Sequence, residues 1–306
     1  MGKTQERRSL MWLIVGGSGQ LGHALSRLLT ERNIEFVAPS SRDLDIRDKE
    51  EIEGFVSQLR PSVIVNAAAY TNVDLAETEI QLAFDINEAG PANLATAAKS
   101  VSAPFIHIST DYVFSGENTK PWTESDPVAP VSIYGKSKAA GEAQVLNMYP
   151  EGSYILRTAW LYSPWGKNFA KTMATMALLD KEAKVVNDQF GQPTSATDLA
   201  LQILETVTAK IPFGVYHATN GGETSWFGFA RAIYELCGKD PNLVAPTDSA
   251  TFVRAAKRPR YSVLDHGKWI TQEGKVGASN EMRNWREALK EIFSDIESQI
   301  KREGVI

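Results

Sequence analysis

A short apolar run, Met11-Trp12-Leu13-Ile14-Val15, breaks into Gly16-Gly17-Ser18-Gly19-Gln20-Leu21-Gly22. Ala24, Leu25, Leu28 and Leu29 then follow at helical spacing. Strand, glycine turn and helix, in that order, constrain the chain more than any other stretch. Glycines at 16, 19 and 22 allow a tight turn and a close approach of backbone to ligand. The helix start offers free N–H groups and the positive end of a dipole to a pyrophosphate. Gly16, Gly19, Gln20 and Leu21 are therefore candidate cofactor contacts.

Further strands follow at the spacing of a wound sheet. Ile34–Ala38 reads as the second, and the charged stretch from Asp48 to Leu59 reads as a helix ended by Pro61. Val63-Ile64-Val65 is an unbroken β-branched run, as in a strand buried on both faces. The small residues Ala67, Ala68 and Ala69 after it let a cofactor lie close to the backbone. A helical region runs to about Val101, Phe105–Ile108 is the fourth strand, and Tyr154–Arg157 is the fifth. The expected fold is α/β: a Rossmann-type doubly wound parallel sheet with a smaller C-terminal α/β domain for substrate. Residues 1–10 read as a disordered extension and 11–160 as the NAD(P)-binding core. Residues 161–306 read mainly as the substrate-binding domain, with later segments free to return to the core.

A NAD-preferring site usually ends the second strand in an acidic residue that grips the ribose. Here Pro39-Ser40-Ser41-Arg42 stands instead, and Ser40 with Arg42 suits a 2′-phosphate. NADPH is therefore the expected cofactor, with NADH left open. Asp45 and Ile46 are placed to flank the adenine.

The chemistry gathers between Ile106 and Lys138. Tyr134 and Lys138 are four apart and share one face of a helix. An ammonium beside a phenol favours the phenolate and lowers the tyrosine pKa. Ser109 or Thr110, at the end of the fourth strand, offers a hydroxyl to hold a carbonyl oxygen against Tyr134. Those parts suit delivery of a proton to a carbonyl while a hydride reaches its carbon. His107, alternating within the strand, reads as a satisfied buried histidine. The cluster Lys257-Arg258-Pro259-Arg260 offers bidentate contacts to a pyrophosphate.

With 43% hydrophobic and 23% charged residues, the 306-residue chain is globular in composition. A net charge of −5 gives no sign of nucleic-acid binding, so an anionic ligand needs a local basic pocket. The single cysteine, Cys237, excludes an intrachain disulfide and reads as a small core residue. No apolar run reaches the roughly 20 residues of a membrane span, and the expected setting is cytoplasmic.

Taken together, these residues resemble the extended short-chain dehydrogenase/reductases and, within them, the dTDP-4-dehydrorhamnose reductase family. The resemblance rests on Gly16–Gly22, Val65–Thr71, Ser109–Phe114, Tyr134–Lys138, Arg157–Trp160, Asn168–Met173, Asn187–Thr194 and Arg258-Pro259. It implies reduction of the 4-keto group of a dTDP-6-deoxyhexose. Thr110 would hold the keto oxygen, Tyr134 would donate the proton, and Lys138 would bind the nicotinamide ribose. Asp111 and Trp160 would line the sugar site, and Arg258 would hold the dTDP portion. Some relatives are dimers bridged by a carboxylate-bound metal. Ala24 and Thr197 stand where those carboxylates are sought, so no metal is expected and a monomer is the default, with a dimer left open.

Two rivals within the superfamily fit less well. Dehydratases carry an Asp-Glu pair after the threonine, whereas this chain has Asp111-Tyr112, and epimerases lack the Asp188–Thr194 stretch. A reductase of another dTDP-4-keto-6-deoxyhexose, or a non-catalytic NADP-binding regulatory subunit of the same fold, are the remaining alternatives. Changing Arg42 to Ala is expected to weaken NADPH much more than NADH. Equal loss for both in parallel titrations would remove Arg42 from the 2′-phosphate site.

Overall fold

The apolar runs become the strands of one parallel sheet. In the computed structural model, which describes residues 11–271, 274–275 and 282–304, six strands pair side by side. The extension expected at 1–10 lies outside the described residues. The strands are β1 (Trp12–Val15), β2 (Phe36–Val37), β3 (Val63–Asn66), β4 (Phe105–Thr110), β5 (Ser153–Thr158) and β6 (Gly214–His217). They lie in the order β2-β1-β3-β4-β5-β6, with every neighbouring pair parallel. All residues of β1, β3 and β5 are buried, which explains runs with no polar alternation.

The winding reverses at the adjacent strands β1 and β3, and the crevice beyond their carboxyl ends is where such sheets bind ligands. Register pairs Val15 with Asn66 and Thr110 with Thr158. The glycine turn, the alanines after β3 and Thr110 therefore arrive at one edge.

Helices cover both faces. One face packs α1 (Gln20–Glu31) against Ile14 and Val65, with Leu199 and Ile203 of α7 (Ala196–Thr208) and Tyr216 of β6. The other packs Ile52 and Val56 of α2 (Lys49–Leu59) and Leu94 of α4 (Gly90–Ser100) against Leu13, Phe105 and Ile155. Asp48, read from the chain as the first helical residue, instead caps α2 by accepting from the Glu51 N–H. The helical region before Val101 is divided. α3 (Ile80–Phe84) passes through a π-helical turn, Asp85–Ala89, before α4. That turn presses the Asn87 carbonyl onto Gly141 of α5 (Ile133–Met148), where any Cβ would collide with it.

A separate core lies beyond the sheet. It is built from α6 (Phe169–Leu178), α8 (Trp226–Leu236), α9 (Trp285–Arg302) and a parallel ribbon of Ala183–Val186 with Val244–Thr247. α7 and β6 fall late in the chain yet belong to the sheet. Among the described residues no helix is long and apolar enough to cross a membrane.

Phe229 centres the second core at 0% exposure, with the rings of Tyr162, Phe169 and Trp285 within 5.5–5.7 Å. Phe229→Ala should cost about 3–5 kcal/mol of unfolding free energy in a urea titration, and a loss below about 1 kcal/mol would contradict this packing.

Candidate active site

Gly16 takes φ +85°, and a Cβ there would lie 2.6 Å from the Ala68 nitrogen. The turn is thus pressed against the segment after β3, and only glycine fits. Gly19 precedes α1 with no side chain capping the helix, so its first-turn amides face the crevice without a protein partner of that kind. An uncapped helix start over a floor of Ala67, Ala68 and Ala69 fits a dinucleotide pyrophosphate.

The crevice is a cleft of about 760 Å³. Its walls bring together Gly16, Gly19, Gln20, Leu21, Ala67, Ala68, Ala69, Thr110, Asp111, Tyr134, Lys138, Trp160 and Arg258. Residues from both cores contribute, since Asn168 and Trp226 also line it. Four of the expected cofactor contacts are not among its lining residues. Ser40 donates its hydroxyl to Asp43 at 2.6 Å, and Arg42 follows it in an exposed loop beyond Ala38, which abuts Gly17. Asp45 pairs with Arg47 at 2.6 Å, and Ile46 is a core residue beneath Gly90.

α5 delivers the Tyr–Lys pair. Ser132 caps it by accepting from the Gly135 N–H, which starts the helix one turn before Lys138. Lys138 is 2% exposed, and its ammonium nitrogen donates to the Ile108 carbonyl at 2.6 Å. His107 Nε2 lies 3.4 Å from the same nitrogen, and His107 Nδ1 lies 3.1 Å from Asn66. His107 is thus a buried, hydrogen-bonded histidine, as the strand alternation suggests. Thr110 accepts from the Tyr112 N–H and donates to Asp111 Oδ1 at 3.0 Å.

The electrostatics differ from the expectation at Tyr134. Burial pushes its pKa up to about 12, against the hydrogen bond with Thr110 that pulls it down. Lys138, also desolvated, falls to about 8, with Glu142 one turn along opposing that fall. The physical reason is that burial penalises the phenolate and the ammonium alike. Tyr134 at rest is therefore a firmly protonated acid.

Four residues that reasoning from the chain left unassigned support this set. Glu142 is buried and held bidentately by Arg157, at 2.9 and 2.6 Å. Its place four residues past Lys138 was the available signal. Asp74 grips Arg258 bidentately at 2.9 and 2.8 Å across 184 residues of chain. Asn87 bonds both polar atoms of Tyr70's backbone and the Ser137 hydroxyl, clasping α5 to the segment after β3. Trp226 stacks on Trp160 with centroids 3.7 Å apart. Trp160 itself has φ +45°, with Gly191 leaving space for its ring. No local pattern signals Asp74, Asn87 or Trp226.

A match to the family described as RmlD substrate binding domain spans residues 10–298. The chain belongs to that family. It is similar to a dTDP-4-dehydrorhamnose reductase of Streptomyces griseus, 43% identical over 92% of both chains. It is also similar to a dTDP-4-keto-6-deoxy-D-glucose reductase of Streptomyces niveus, 39% identical over 92% of this chain and 96% of that one. Among solved structures, a dTDP-4-dehydrorhamnose reductase of Bacillus anthracis in complex with NADP is 36% identical. It superposes with a TM-score of 0.88 over 94% of this chain and 99% of that one. A doubly wound fold with a second, smaller lobe is thus common to this family member and its relatives.

Asp111 gives the site a pH signature. Burial raises its pKa to about 6, against hydrogen bonds from Ser262 and Thr110 that lower it. With a folded pKa above the ordinary 3.8, the neutral acid favours the fold. That contribution is full below the unfolded pKa and is lost as pH rises through the folded one. Relative to the parent, Asp111→Asn should therefore gain about 2–3 kcal/mol in unfolding free energy between about pH 4 and about pH 8. A pH-independent difference in denaturant midpoints would contradict the burial of this carboxyl.

Proposed function

We propose that this chain reduces the 4-keto group of dTDP-4-dehydro-L-rhamnose to give dTDP-L-rhamnose, using NADPH. The observation that carries the reading is the convergence of Thr110, Tyr134 and Lys138 on one wall of the cleft that begins at the glycine turn. NADPH supplies the hydride when bound. Gly16, Gly19, Gln20 and Leu21 would hold its pyrophosphate, Ala67–Ala69 would leave room for it, and Ser40 with Arg42 would take the 2′-phosphate.

Thr110 and Tyr134 orient the keto oxygen between two hydroxyls. As charge develops on that oxygen, Tyr134 gives up its proton to it. A phenol raised to about 12 keeps the proton until an oxyanion forms, and an ammonium at Lys138 then favours the phenolate left behind. Asp111 and Trp160 line the sugar site, and Arg258 meets the diphosphate. The second lobe would be the substrate-binding domain, and the matching setting is cytoplasmic, with a monomer as the default and a dimer left open.

The Streptomyces niveus relative supports a second substrate, a dTDP-4-keto-6-deoxyhexose of the D-gluco series. The deciding assay is loss of nicotinamide absorbance with each keto-sugar, run with NADPH and with NADH. Faster oxidation with dTDP-4-dehydro-L-rhamnose supports the first reading, and faster oxidation with the other sugar replaces it. NADPH binding with no oxidation by either would favour a regulatory subunit. Tyr134→Phe should keep NADPH affinity while turnover falls roughly 100- to 10,000-fold, and undiminished turnover would remove Tyr134 from the mechanism.

A further inference from the structure

Behind Lys138 stand two fully buried polar residues that the mechanism above leaves without a task, His107 and Asn66. Their hydrogen-bond roles follow from one group that can only donate. The Ala68 N–H lies 3.1 Å from one end of the Asn66 amide, so that end is the oxygen. The other end, the NH2, lies 3.1 Å from His107 Nδ1 and donates to it. Burial and the neighbouring Lys138 keep the ring neutral, well below the ordinary histidine pKa. A neutral imidazole whose Nδ1 accepts carries its proton on Nε2.

Nε2 faces Lys138 Nζ at 3.4 Å, while Nζ donates to the Ile108 carbonyl. A neutral amine satisfies both contacts: one N–H goes to the carbonyl, and the lone pair accepts from Nε2. An ammonium has no lone pair, so its hydrogens would meet the Nε2–H. Charging Lys138 in this arrangement requires the ring proton to move to Nδ1 and the Asn66 amide to turn. That turn frees the Ala68 N–H on the cleft floor.

We propose that His107 and Asn66 are positioning residues that set the pH at which Lys138 takes up its proton. They do so by holding a hydrogen-bond order that suits the amine and resists the ammonium. The proposal deepens, and rests on, the role given to Lys138 above. The other charged or titratable groups around Lys138 are few. Glu142 on the same helix, paired with Arg157 of β5, favours the ammonium. Tyr134 stands one turn back, and Asp111 lies at the end of β4 in the same wall. Burial lowers the Lys138 pKa to about 8 and Glu142 opposes that fall, while the His107 Nε2–H faces the amine from β4. Lysine charge and the Ala68 backbone donor are linked through the same network.

The test is a 13C NMR titration of the lysine ε-carbons in the full chain, with Lys138 assigned through Lys138→Arg. His107→Asn keeps a group at the place of Nδ1 and removes the Nε2–H. His107→Gln puts an amide at the place of Nε2, free to turn its oxygen to the ammonium. Asn66→Asp accepts from the Ala68 N–H and forces the ring proton to Nδ1. Each variant should move the Lys138 midpoint upward by about 1 unit, with the alkaline limb of kcat/KM following it. A midpoint unmoved or lowered in either folded His107 variant overturns the proposal, and an unmoved midpoint in Asn66→Asp removes Asn66 from it. The titration needs no keto-sugar. Failure to turn over any dTDP-sugar would retire the reductase reading alone, and an unmoved midpoint in an active enzyme would retire this proposal alone.

Discussion

The site depends on one buried lysine. Taking the Lys138 ammonium out of water costs several kcal/mol unless the interior answers it. The answer comes from three directions: the Ile108 carbonyl at 2.6 Å, the Glu142 carboxylate one turn on, and Arg157, which fixes that carboxylate from β5. These contacts tie α5 to the carboxyl ends of β4 and β5. Tyr134 rides on the first turn of the same helix, so its distance from Thr110 is set by how Lys138 is held. The stacking of the Arg157 guanidinium over the Phe114 ring, 5.0 Å from its centroid, extends the tie to the segment after β4.

The cleft lies between two apolar cores that are joined around it by polar clasps. The Gln20 carbonyl oxygen accepts from both the Ser163 hydroxyl and the Asn168 amide, each at 3.0 Å. Asn168 also caps α6, so the glycine-turn helix and the first helix of the second core share one side chain. On the opposite wall the Asp74 carboxylate occupies the fork of Arg258. Under the proposed function, a diphosphate arriving at a chain of net charge −5 would meet an arginine already partnered by a carboxylate. Its attraction is therefore a difference between two anions at one guanidinium, and salt screening acts on both.

Much of this was legible in the chain because it is encoded locally. β1, the glycine turn and α1 follow one another within 21 residues, from 11 to 31, and each step has a physical signature. Tyr134 and Lys138 share a helix face because four residues make one turn. What was not legible depends on pairing across the chain or on solvation. Asp74 and Arg258 are neighbours only after folding. The return of α7 and β6 to the sheet is a matter of topology, since their patterning is that of any amphipathic helix and strand. The protonation of Tyr134 was not legible because spacing reveals the lysine one turn on, whereas only the fold reveals the burial that raises the phenol's pKa. The π-helical turn at Asp85–Ala89 has no composition cue, and it sets the Asn87 carbonyl against Gly141 on another helix.

Burial also decides which chemistry the site avoids. Removal of a sugar hydroxyl as water needs a second acid–base group beside the reacting carbons, the part a glutamate after Asp111 plays in dehydratases. Tyr112 stands there instead, its ring edge-on to Tyr134 with centroids 5.5 Å apart. Burial first, and the neighbouring Asp111 charge second, raise its pKa above that of an ordinary phenol. A phenol raised in that way does not ionise near neutral pH, so it offers no base to take a proton from the sugar. One wall thus carries two tyrosines made stubborn acids by the same burial. Tyr134 shares its helix face with Lys138, and under the proposed reaction that asymmetry would direct proton delivery to the keto oxygen.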